Sequence, residues 1–322
     1  AIHRLEQAGA GHILVNTHHL HEQIEAFIRD CRFPARVDLL HEPEILDTGG
    51  AIANAARFLD NQSFFVVNAD IFSTIDLKSA YRSHEQSGCL ATLVLHDEPR
   101  FNKVTMDSDG CVTGFDGGTG SLAFTGVQVL SPRIFSRFPD EKKFSSIDLY
   151  RSLCPEKEVR AFIEPALYWS DIGTPESYME TSRQVIAADI LETPLTGTSR
   201  VRIREIDGDG SDREWFRADN DSRTCVIGCH GICMPGSDRA EEYRAFVSIG
   251  RHLSSKKVAV PKVLGHDPVS GMVVLEDLGN IHLQAFVRKQ TSEDPVIRMY
   301  QSVIQSLIDF SQKGIKGFDR SW

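Results

Sequence analysis

A run of four apolar residues, Phe64–Val67, lies between polar residues 61–63 and a turn that ends at Asp70. Such a run is typical of a strand that is buried on both faces of a parallel sheet and covered by helices. Ligands of open α/β sheets bind beyond the carboxyl ends of the strands, so the Asp70 carboxylate is expected to face a ligand crevice. The alternative is that Asp70 only makes a turn or caps the next helix.

Strand patterns and helix patterns alternate from residue 1 to about residue 190, and Asp109-Gly110 predicts the turn of a hairpin between 104 and 112. The alternation predicts an α/β fold with a doubly wound, mostly parallel sheet. The predicted strands lie at 12–16, 37–40, 64–67, 90–95, 122–130, 159–163 and 166–169, and the predicted helices at 20–31, 52–59, 77–88 and after Thr174.

The composition narrows the class of partner. The chain has 322 residues, 41% of them hydrophobic, which is enough for two globular domains. A net charge of −10 without any run of Lys or Arg argues against nucleic acids and anionic membranes, so small molecules are the expected partners. No stretch has the length and apolarity of a membrane span or the pattern of a signal peptide, which predicts a cytoplasmic protein.

Seven cysteines scattered over a chain of this size indicate reduced thiols in a reducing compartment. Three of them recur every four residues beside His230, but their spacing is unlike that of zinc modules, so a metal site is the less favoured interpretation. Three clustered histidines are interpreted as the polar start of a helix rather than as a ligand set. The two clusters are Cys225, Cys229 and Cys233, and His18, His19 and His21.

Two further features fall where a ligand of such a fold would bind. Gly49 and Gly50 lie at the start of a predicted helix, where bare N–H groups and the helix dipole favour an anion or a flat base, although a plain turn is the alternative. Asp171 follows the strand pattern at 166–169, and Thr174 and Pro175 then predict the start of a helix. Asp171 is thus a second carboxylate at the end of a strand.

Five short segments occur together in an order that resembles the sugar-1-phosphate nucleotidyltransferases. The resemblance covers residues 1 to about 190 and is strongest to the short bacterial type that includes N-acetylmuramate-1-phosphate uridylyltransferases and mannose-1-phosphate guanylyltransferases. The combination is far more specific than any one segment. The segments are NTHHL at 16–20, LDTGG at 46–50, NAD at 68–70, TGV at 125–127 and WSDIGTP at 169–175.

This resemblance implies an enzyme that joins a sugar 1-phosphate to the α-phosphate of a nucleoside triphosphate and releases pyrophosphate. It implies that Asp70 and Asp171 are catalytic residues that hold Mg²⁺, the expected cofactor. It also implies a substrate-binding set that lines the base and sugar sides of the pocket. That set is Glu42, Thr48, Gly49, Gly50, Asn68, Thr125 and Gly126.

One departure from the family concerns the glycine-rich signature loop, whose Arg and Lys grip the triphosphate before the first helix. The sequence begins after that point. Because positioning and charge stabilisation supply most of phosphoryl-transfer catalysis, this chain by itself is expected to be inactive.

The composition changes after a linker at 189–201, so we predict domains at 1–188 and 202–322. The second half has a glycine turn at 207–213 between two strand patterns, then a helix and two further strands. This order resembles the N-lobe of aminoglycoside-phosphotransferase-like sugar kinases. The resemblance implies that the turn folds over nucleotide phosphates, that the helix glutamate pairs with a phosphate-binding lysine, and that the hinge backbone meets adenine. The residues concerned are Gly210 and Ser211 in the turn, Glu242 in the helix, and Glu276 and Leu278 in the hinge.

The kinase resemblance has two departures of its own. No Lys occurs at 224–228, where kinases place the lysine that binds phosphate, and no catalytic Asp or metal-binding Asn occurs between Met299 and the end of the sequence. The sequence therefore predicts a nucleotidyltransferase domain fused to part of a kinase-like domain. The alternatives are a catalytically dead nucleotide-binding regulatory or scaffold protein, and a small-molecule kinase as the main activity.

Overall fold

The computed structural model describes residues 1–59, 62–164, 167–198, 201–206 and 213–319. The chain forms two compact units, Ala1–Gly173 and Thr174–Trp322. The boundary between the units lies before the predicted one at residue 188. The helix that begins at Pro175 belongs to the second unit, because it packs Ala187 and Ala188 into the core of that unit.

Helices and strands alternate in the first unit, and most of them lie where the sequence predicted them. The helices are α1 (Ile2–Ala8), α2 (His21–Asp30), α3 (Asp47–Asn54), α4 (Leu77–Ser87) and α5 (Ser146–Leu153). The strands are β1 (His12–Thr17), β2 (Arg36–His41), β3 (Phe64–Val67), β4 (Ile71–Ser73), β5 (Ala91–His96), β6 (Thr105–Met106), β7 (Val112–Gly114), β8 (Ala123–Leu130), β9 (Val159–Ile163) and β10 (Trp169–Asp171).

The main sheet has the order β3-β8-β5-β9. β5 and β9 are parallel, whereas β8 runs antiparallel to both β3 and β5, and β1 and β2 form a separate parallel pair. The α/β class is therefore confirmed, but the sheet is mixed rather than mostly parallel. The reason is that the predicted hairpin, formed by β6 and β7, lies between β5 and β8, so the chain returns antiparallel without a helical crossover.

Successive side chains of β5 pack into two different core clusters, as expected for a strand covered on both faces. Leu93 and Leu95 pack with Tyr150 of α5 on one face, and Val94 packs with Ala80 of α4 on the other. Every residue of β5 is buried. Because side chains alternate along a strand with a period of two, burial of both faces needs apolar residues at successive positions, and Leu93, Val94 and Leu95 supply them.

The second unit is built around a five-stranded antiparallel sheet with the order β11-β12-β13-β15-β14. One long helix, α7, lies between the third and fourth strands in sequence. The strands are β11 (Arg202–Ile206), β12 (Glu214–Asp219), β13 (Thr224–Cys229), β14 (Val263–Asp267) and β15 (Met272–Glu276). The helices are α6 (Pro175–Ile190), α7 (Asp238–Ser255), α8 (Leu283–Arg288) and α9 (Glu293–Lys313).

The described part of the predicted linker is tied to this second unit. The Asn220 side-chain amide donates to the Leu191 carbonyl at 3.0 Å and to the Thr193 hydroxyl at 2.9 Å. The Leu191 side chain is buried in the core of the unit. Residues 191–193 are therefore packed, and they do not form a free tether.

The cysteines of the second unit are buried thiols. Burial raises the pKa of Cys225 and of Cys229 to about 11, which favours the protonated form over the thiolate that binds metals. Across the described ranges, no three His, Cys, Asp or Glu side chains are grouped so that they could hold a metal ion. In the same part of the chain, no helix is both long enough and apolar enough to cross a membrane.

Candidate active site

The two carboxylates predicted from the sequence come together at one edge of the first unit. Asp70 lies between β3 and β4, and Asp171 is the last residue of β10. β4 and β10 pair antiparallel with Asp171 opposite Ile71, and the Ile172 N–H donates to the Asp70 carbonyl at 2.8 Å. This short ladder joins two segments that are far apart in the sequence.

Gly173 shows how close the two carboxylates are. A methyl group built on Gly173 would lie 3.0 Å from Asp171 Oδ1 and 3.7 Å from Asp70 Oδ2. Both oxygens therefore lie within 4 Å of one point, and both residues are exposed. The Gly173 N–H also donates to Asp171 Oδ1 at 2.9 Å and so orients that carboxylate.

The donor set at this point fits a magnesium ion. Mg²⁺ prefers oxygen ligands and is usually held by one or two carboxylates together with water and substrate phosphates. Asp70 and Asp171 supply two exposed carboxylate oxygens on the same side of a backbone that has no side chain at Gly173. This arrangement leaves most of the coordination shell to phosphate and water.

Asn68 and Gly126 support the turn that carries Asp70. Gly126 lies within β8 at a φ of +77°, and the Asn68 N–H donates to its carbonyl at 2.9 Å. A methyl group on Gly126 would come within 3.0 Å of the Asn68 side-chain amide. Gly126 is therefore needed both for its backbone conformation and for the close approach of Asn68.

Thr125 is wholly buried, so in this conformation its side chain supports the site and does not line it. Its hydroxyl donates to the Val94 carbonyl at 2.9 Å and accepts from the Val127 N–H at 3.2 Å. These bonds satisfy backbone groups where the register of β5 and β8 shifts. The expected direct contact with a substrate is corrected to this indirect role.

Thr125→Val is expected to destabilise the protein by about 2 kcal/mol, because it leaves two buried backbone groups without partners while conserving shape. The measurement is chemical denaturation of the variant and the wild-type protein. The matched control is Thr113→Val, since Thr113 is exposed and, among the described residues, its hydroxyl bonds only that of Thr105. An equal effect of both changes would refute the proposed role of Thr125.

The expectation for Gly49 and Gly50 is wrong in one respect. Their N–H groups are not bare, because both donate to the Phe144 carbonyl, at 2.9 and 3.2 Å. A methyl group on Gly49 would lie 2.4 Å from the Phe144 ring, and one on Gly50 would lie 2.3 Å from the Lys142 carbonyl oxygen. The glycines do permit a close approach, but the approaching group is the protein's own segment 142–144 rather than a ligand.

Thr48 is exposed beside this glycine pair. Its hydroxyl accepts from the Ser146 N–H at 3.0 Å and lies 3.0 Å from the Ser146 hydroxyl, at the start of α5. The residue before it, Asp47, has a φ of +65°, which is unusual for a residue with a side chain. Thr48 thus links the start of α3 to α5, and a contact between Thr48 and a substrate stays a prediction.

Glu42 is the candidate residue with the most unusual surroundings. It follows β2, is only 4% exposed, and its Oε1 atom has no hydrogen-bond partner among the described residues. Its backbone is fixed, because its N–H donates to the Thr17 carbonyl at 2.8 Å and its carbonyl accepts from His18 Nδ1 at 2.7 Å. A buried carboxylate oxygen without a partner costs free energy unless a ligand supplies a donor.

Comparisons with known proteins show the family of the chain. Residues 1–188 match the family model described as Nucleotidyl transferase, which covers more than half of the chain. The chain belongs to the nucleotidyl transferase family. The match covers the whole first unit and continues into α6.

Several curated relatives of this nucleotidyl transferase have names that specify their substrates. The chain is 29% identical over 177 residues to D-glycero-α-D-manno-heptose 1-phosphate guanylyltransferase of Campylobacter jejuni, across 54% of this chain and 79% of that enzyme. It is 27% identical over 194 residues to mannose-1-phosphate guanylyltransferase of Mycobacterium tuberculosis, across 57% of this chain and 54% of that enzyme. The chain thus spans about half of the mycobacterial relative.

Among solved structures, a putative glucose-1-phosphate thymidylyltransferase from Bacillus anthracis is similar to this nucleotidyl transferase with a TM-score of 0.50. The identity is 15%, and the match covers 56% of this chain and 79% of that one. At this identity the likeness shows the fold alone.

The candidate site includes two residues that the sequence did not single out as site residues. The Trp169 Nε1–H donates to the Thr125 carbonyl at 2.9 Å, and the Trp169 ring packs 5.1 Å from that of His96 at the end of β5. Gly173 was also missed as a site residue. The available signal was its position two residues after Asp171, since a glycine beside a carboxylate at a strand end leaves room for a ligand.

The structure bears differently on each residue of the second half that was predicted to bind a nucleotide. Gly210 and Ser211 lie outside the described residues. Glu242 of α7 is ion-paired with Arg213 and not with a lysine, which corrects the expected partner. At the end of β15, the Glu276 N–H donates to the Lys262 carbonyl at 2.9 Å, and Leu278 is 70% exposed.

Proposed function

We propose that the first unit transfers a nucleoside monophosphate from a nucleoside triphosphate to a sugar 1-phosphate. In this reaction a phosphate oxygen of the sugar 1-phosphate attacks the α-phosphorus, and the bond from that phosphorus to the leaving pyrophosphate breaks. The observation that carries the proposal is the approach of the Asp70 and Asp171 carboxylates to one point beside Gly173. The family of the chain and the names of its relatives support it.

Each residue of the site has a role that follows from its contacts. Asp70 and Asp171 would hold Mg²⁺, which when bound neutralises charge that builds up on phosphoryl oxygens. The Gly173 N–H orients the Asp171 carboxylate before substrate arrives. Asn68, fixed by Gly126, holds the turn that presents Asp70. The site is therefore organised in advance, which is the main source of electrostatic catalysis.

We further propose that Glu42 selects guanine. Guanine presents two adjacent donors, N1–H and N2–H₂, and a carboxylate can accept from both. Uracil and thymine present one N3–H between two carbonyl oxygens, which repel a carboxylate. The unpartnered, buried Oε1 atom of Glu42 is the acceptor that such a base would satisfy.

Glu42→Gln is expected to lower kcat/KM for GTP by about tenfold, because one acceptor oxygen becomes an NH₂ donor facing another donor. The kcat/KM for UTP is expected to fall by a smaller factor or to rise. The measurement is kcat/KM for both nucleotides with the full-length protein. The control is Glu44→Gln, an exposed residue two positions away. An unchanged ratio of GTP to UTP in Glu42→Gln would contradict the assignment of the base.

For the second unit we propose a kinase-like role in nucleotide binding. The supporting observation is a five-stranded antiparallel sheet whose third and fourth strands are separated by α7, with Glu242 of that helix ion-paired to Arg213, the residue before β12. A sugar kinase and a nucleotidyl transferase would act in sequence, because the sugar 1-phosphate that the kinase makes is the substrate of the transferase. Protection of second-unit amides from hydrogen exchange by ATP tests this role.

A further inference from the structure

The cation that kinases use to bind phosphate is missing from its usual strand in the second unit. β13 has the sequence TCVIGC and carries no lysine. The helix glutamate nevertheless has a cationic partner, because Glu242 forms an ion pair with Arg213. Arg213 precedes β12, the strand that neighbours β13 in the sheet. A cation therefore reaches Glu242 from the adjacent strand.

Packing holds the Arg213 side chain in place. Its guanidinium lies over the Phe246 ring, 4.9 Å from the ring centre, and the side chain is only 22% exposed. The Nε atom of Arg213 is buried and has no hydrogen-bond partner among the described residues. The Glu242 side chain is much more exposed, at 60%. The ion pair thus leaves a buried donor of the guanidinium unused.

A second unused nitrogen lies beside it. His230 follows β13 and is 9% exposed, and within the described residues its Nε2 atom has no hydrogen-bond partner. Its ring packs edge-on against the same Phe246, with the ring centres 5.6 Å apart. Burial lowers the pKa of His230, and the nearby Arg213 lowers it further. Both causes favour the neutral imidazole, which in its Nε2–H tautomer donates one hydrogen bond.

The charged groups around His230 carry an excess of positive charge. The groups that act on it are Arg213, Arg239 and Glu242. Arg239 lies over the residue that follows His230, because its Nη1 atom is 2.9 Å from the position of a methyl group on Gly231. Two guanidinium groups face one carboxylate, and a further anion would balance the charge.

We propose that Arg213 supplies the phosphate-binding cation of the second unit, and that the polyphosphate of a nucleoside triphosphate binds against Arg213 and His230 Nε2. The inference rests on the proposed nucleotide-binding role of this unit. A planar guanidinium with an unused donor matches phosphate oxygens in charge and geometry. Glu242 then orients Arg213, as the helix glutamate of a kinase orients its lysine.

The test is amide hydrogen exchange of peptides from β12, β13 and α7 during titration with ATP or AMP. In Arg213→Ala, the ATP concentration that gives half-maximal protection is expected to rise at least about tenfold, the effect of losing a charged hydrogen bond. The response to AMP is expected to change by less than about twofold, because AMP lacks the polyphosphate. Arg213→Lys keeps the charge and is expected to recover part of the ATP response.

The matched control is Arg204→Ala, which removes an exposed arginine of the same unit that pairs with Asp219. Its ATP response is expected to equal that of the wild-type chain. An unchanged ATP response in Arg213→Ala overturns the role of Arg213 and leaves the kinase-like role of the unit standing. Equal losses for ATP and AMP mean that Arg213 only maintains the fold, which also overturns it. If neither nucleotide protects the second unit of the wild-type chain, both proposals fall together.

Discussion

Asp171→Asn is expected to lower nucleotidyl transfer by the full-length protein about a thousandfold. The change replaces a charged oxygen ligand with a neutral amide while keeping the size of the side chain. Losing a divalent cation from phosphoryl transfer removes about 4 kcal/mol of transition-state stabilisation, and each 1.36 kcal/mol is a factor of ten in rate. Asp70→Asn is expected to give a loss of the same size, because the carboxylate oxygens of both residues lie within 4 Å of one point.

The measurement is pyrophosphate release from GTP and a sugar 1-phosphate at saturating Mg²⁺. Chelating the metal with EDTA is expected to reproduce the effect of either variant. The control is Asp140→Asn, an exposed aspartate outside the site, for which the rate is expected to stay within about twofold of the wild-type value. Retention of a third or more of the wild-type activity in Asp171→Asn would refute the role of this carboxylate.

Gly50→Ala is expected to destabilise the protein by about 3 kcal/mol, at the upper end of the range for overpacking a core. In an ordinary helix the same change stabilises, because alanine has the higher helix propensity. Here the added methyl group would lie 2.3 Å from the Lys142 carbonyl oxygen and 2.9 Å from the Leu46 Cβ atom. Backbone must therefore move, and the link between α3 and the start of α5 is broken.

Thermal unfolding measures this effect, and the midpoint is expected to fall by roughly 6 to 12 °C for a unit of this size. Gly11→Ala is the matched control, since a methyl group on Gly11 has no neighbour within 4 Å. Its midpoint is expected to stay within about 2 °C of the wild-type value. If Gly50→Ala unfolds at the wild-type temperature, segment 142–144 does not pack against this glycine in solution.

Features that depend on residues close together in the sequence were predicted best. The apolar pattern at 90–95 predicted a strand, and every residue of β5 is buried. The run at 64–67 was expected to be buried on both faces of a parallel sheet, but β3 is an edge strand that pairs antiparallel with β8, and only Phe64 of it is buried. Thr174 and Pro175 predicted the start of α6, where Thr174 and Ser177 form reciprocal caps. The motifs around Asp70 and Asp171 led us to expect the two residues near each other, and β4 and β10 bring them together, while their sharing of a cation stays a prediction.

The predictions that failed depended on partners distant in the sequence. The glycine pattern at 49–50 does not reveal that its N–H groups bond the Phe144 carbonyl. A lone glutamate in a helix pattern does not reveal Arg213 as its partner, because the two meet only after the sheet of the second unit forms. The direction of β8 was also missed, since a buried strand has the same apolar pattern whether its neighbours are parallel or antiparallel.

The Asp70 and Asp171 carboxylates are proposed to share one divalent cation, and a double-mutant cycle on Mn²⁺ binding tests this most directly. Electron paramagnetic resonance counts the bound Mn²⁺ in the presence of GTP for the wild-type protein, Asp70→Asn, Asp171→Asn and the double variant. The proposal predicts that each single variant loses the same one ion, and that the double variant loses no more than either. Losses of two different ions, or losses of binding free energy that add in the double variant, would contradict a shared ion.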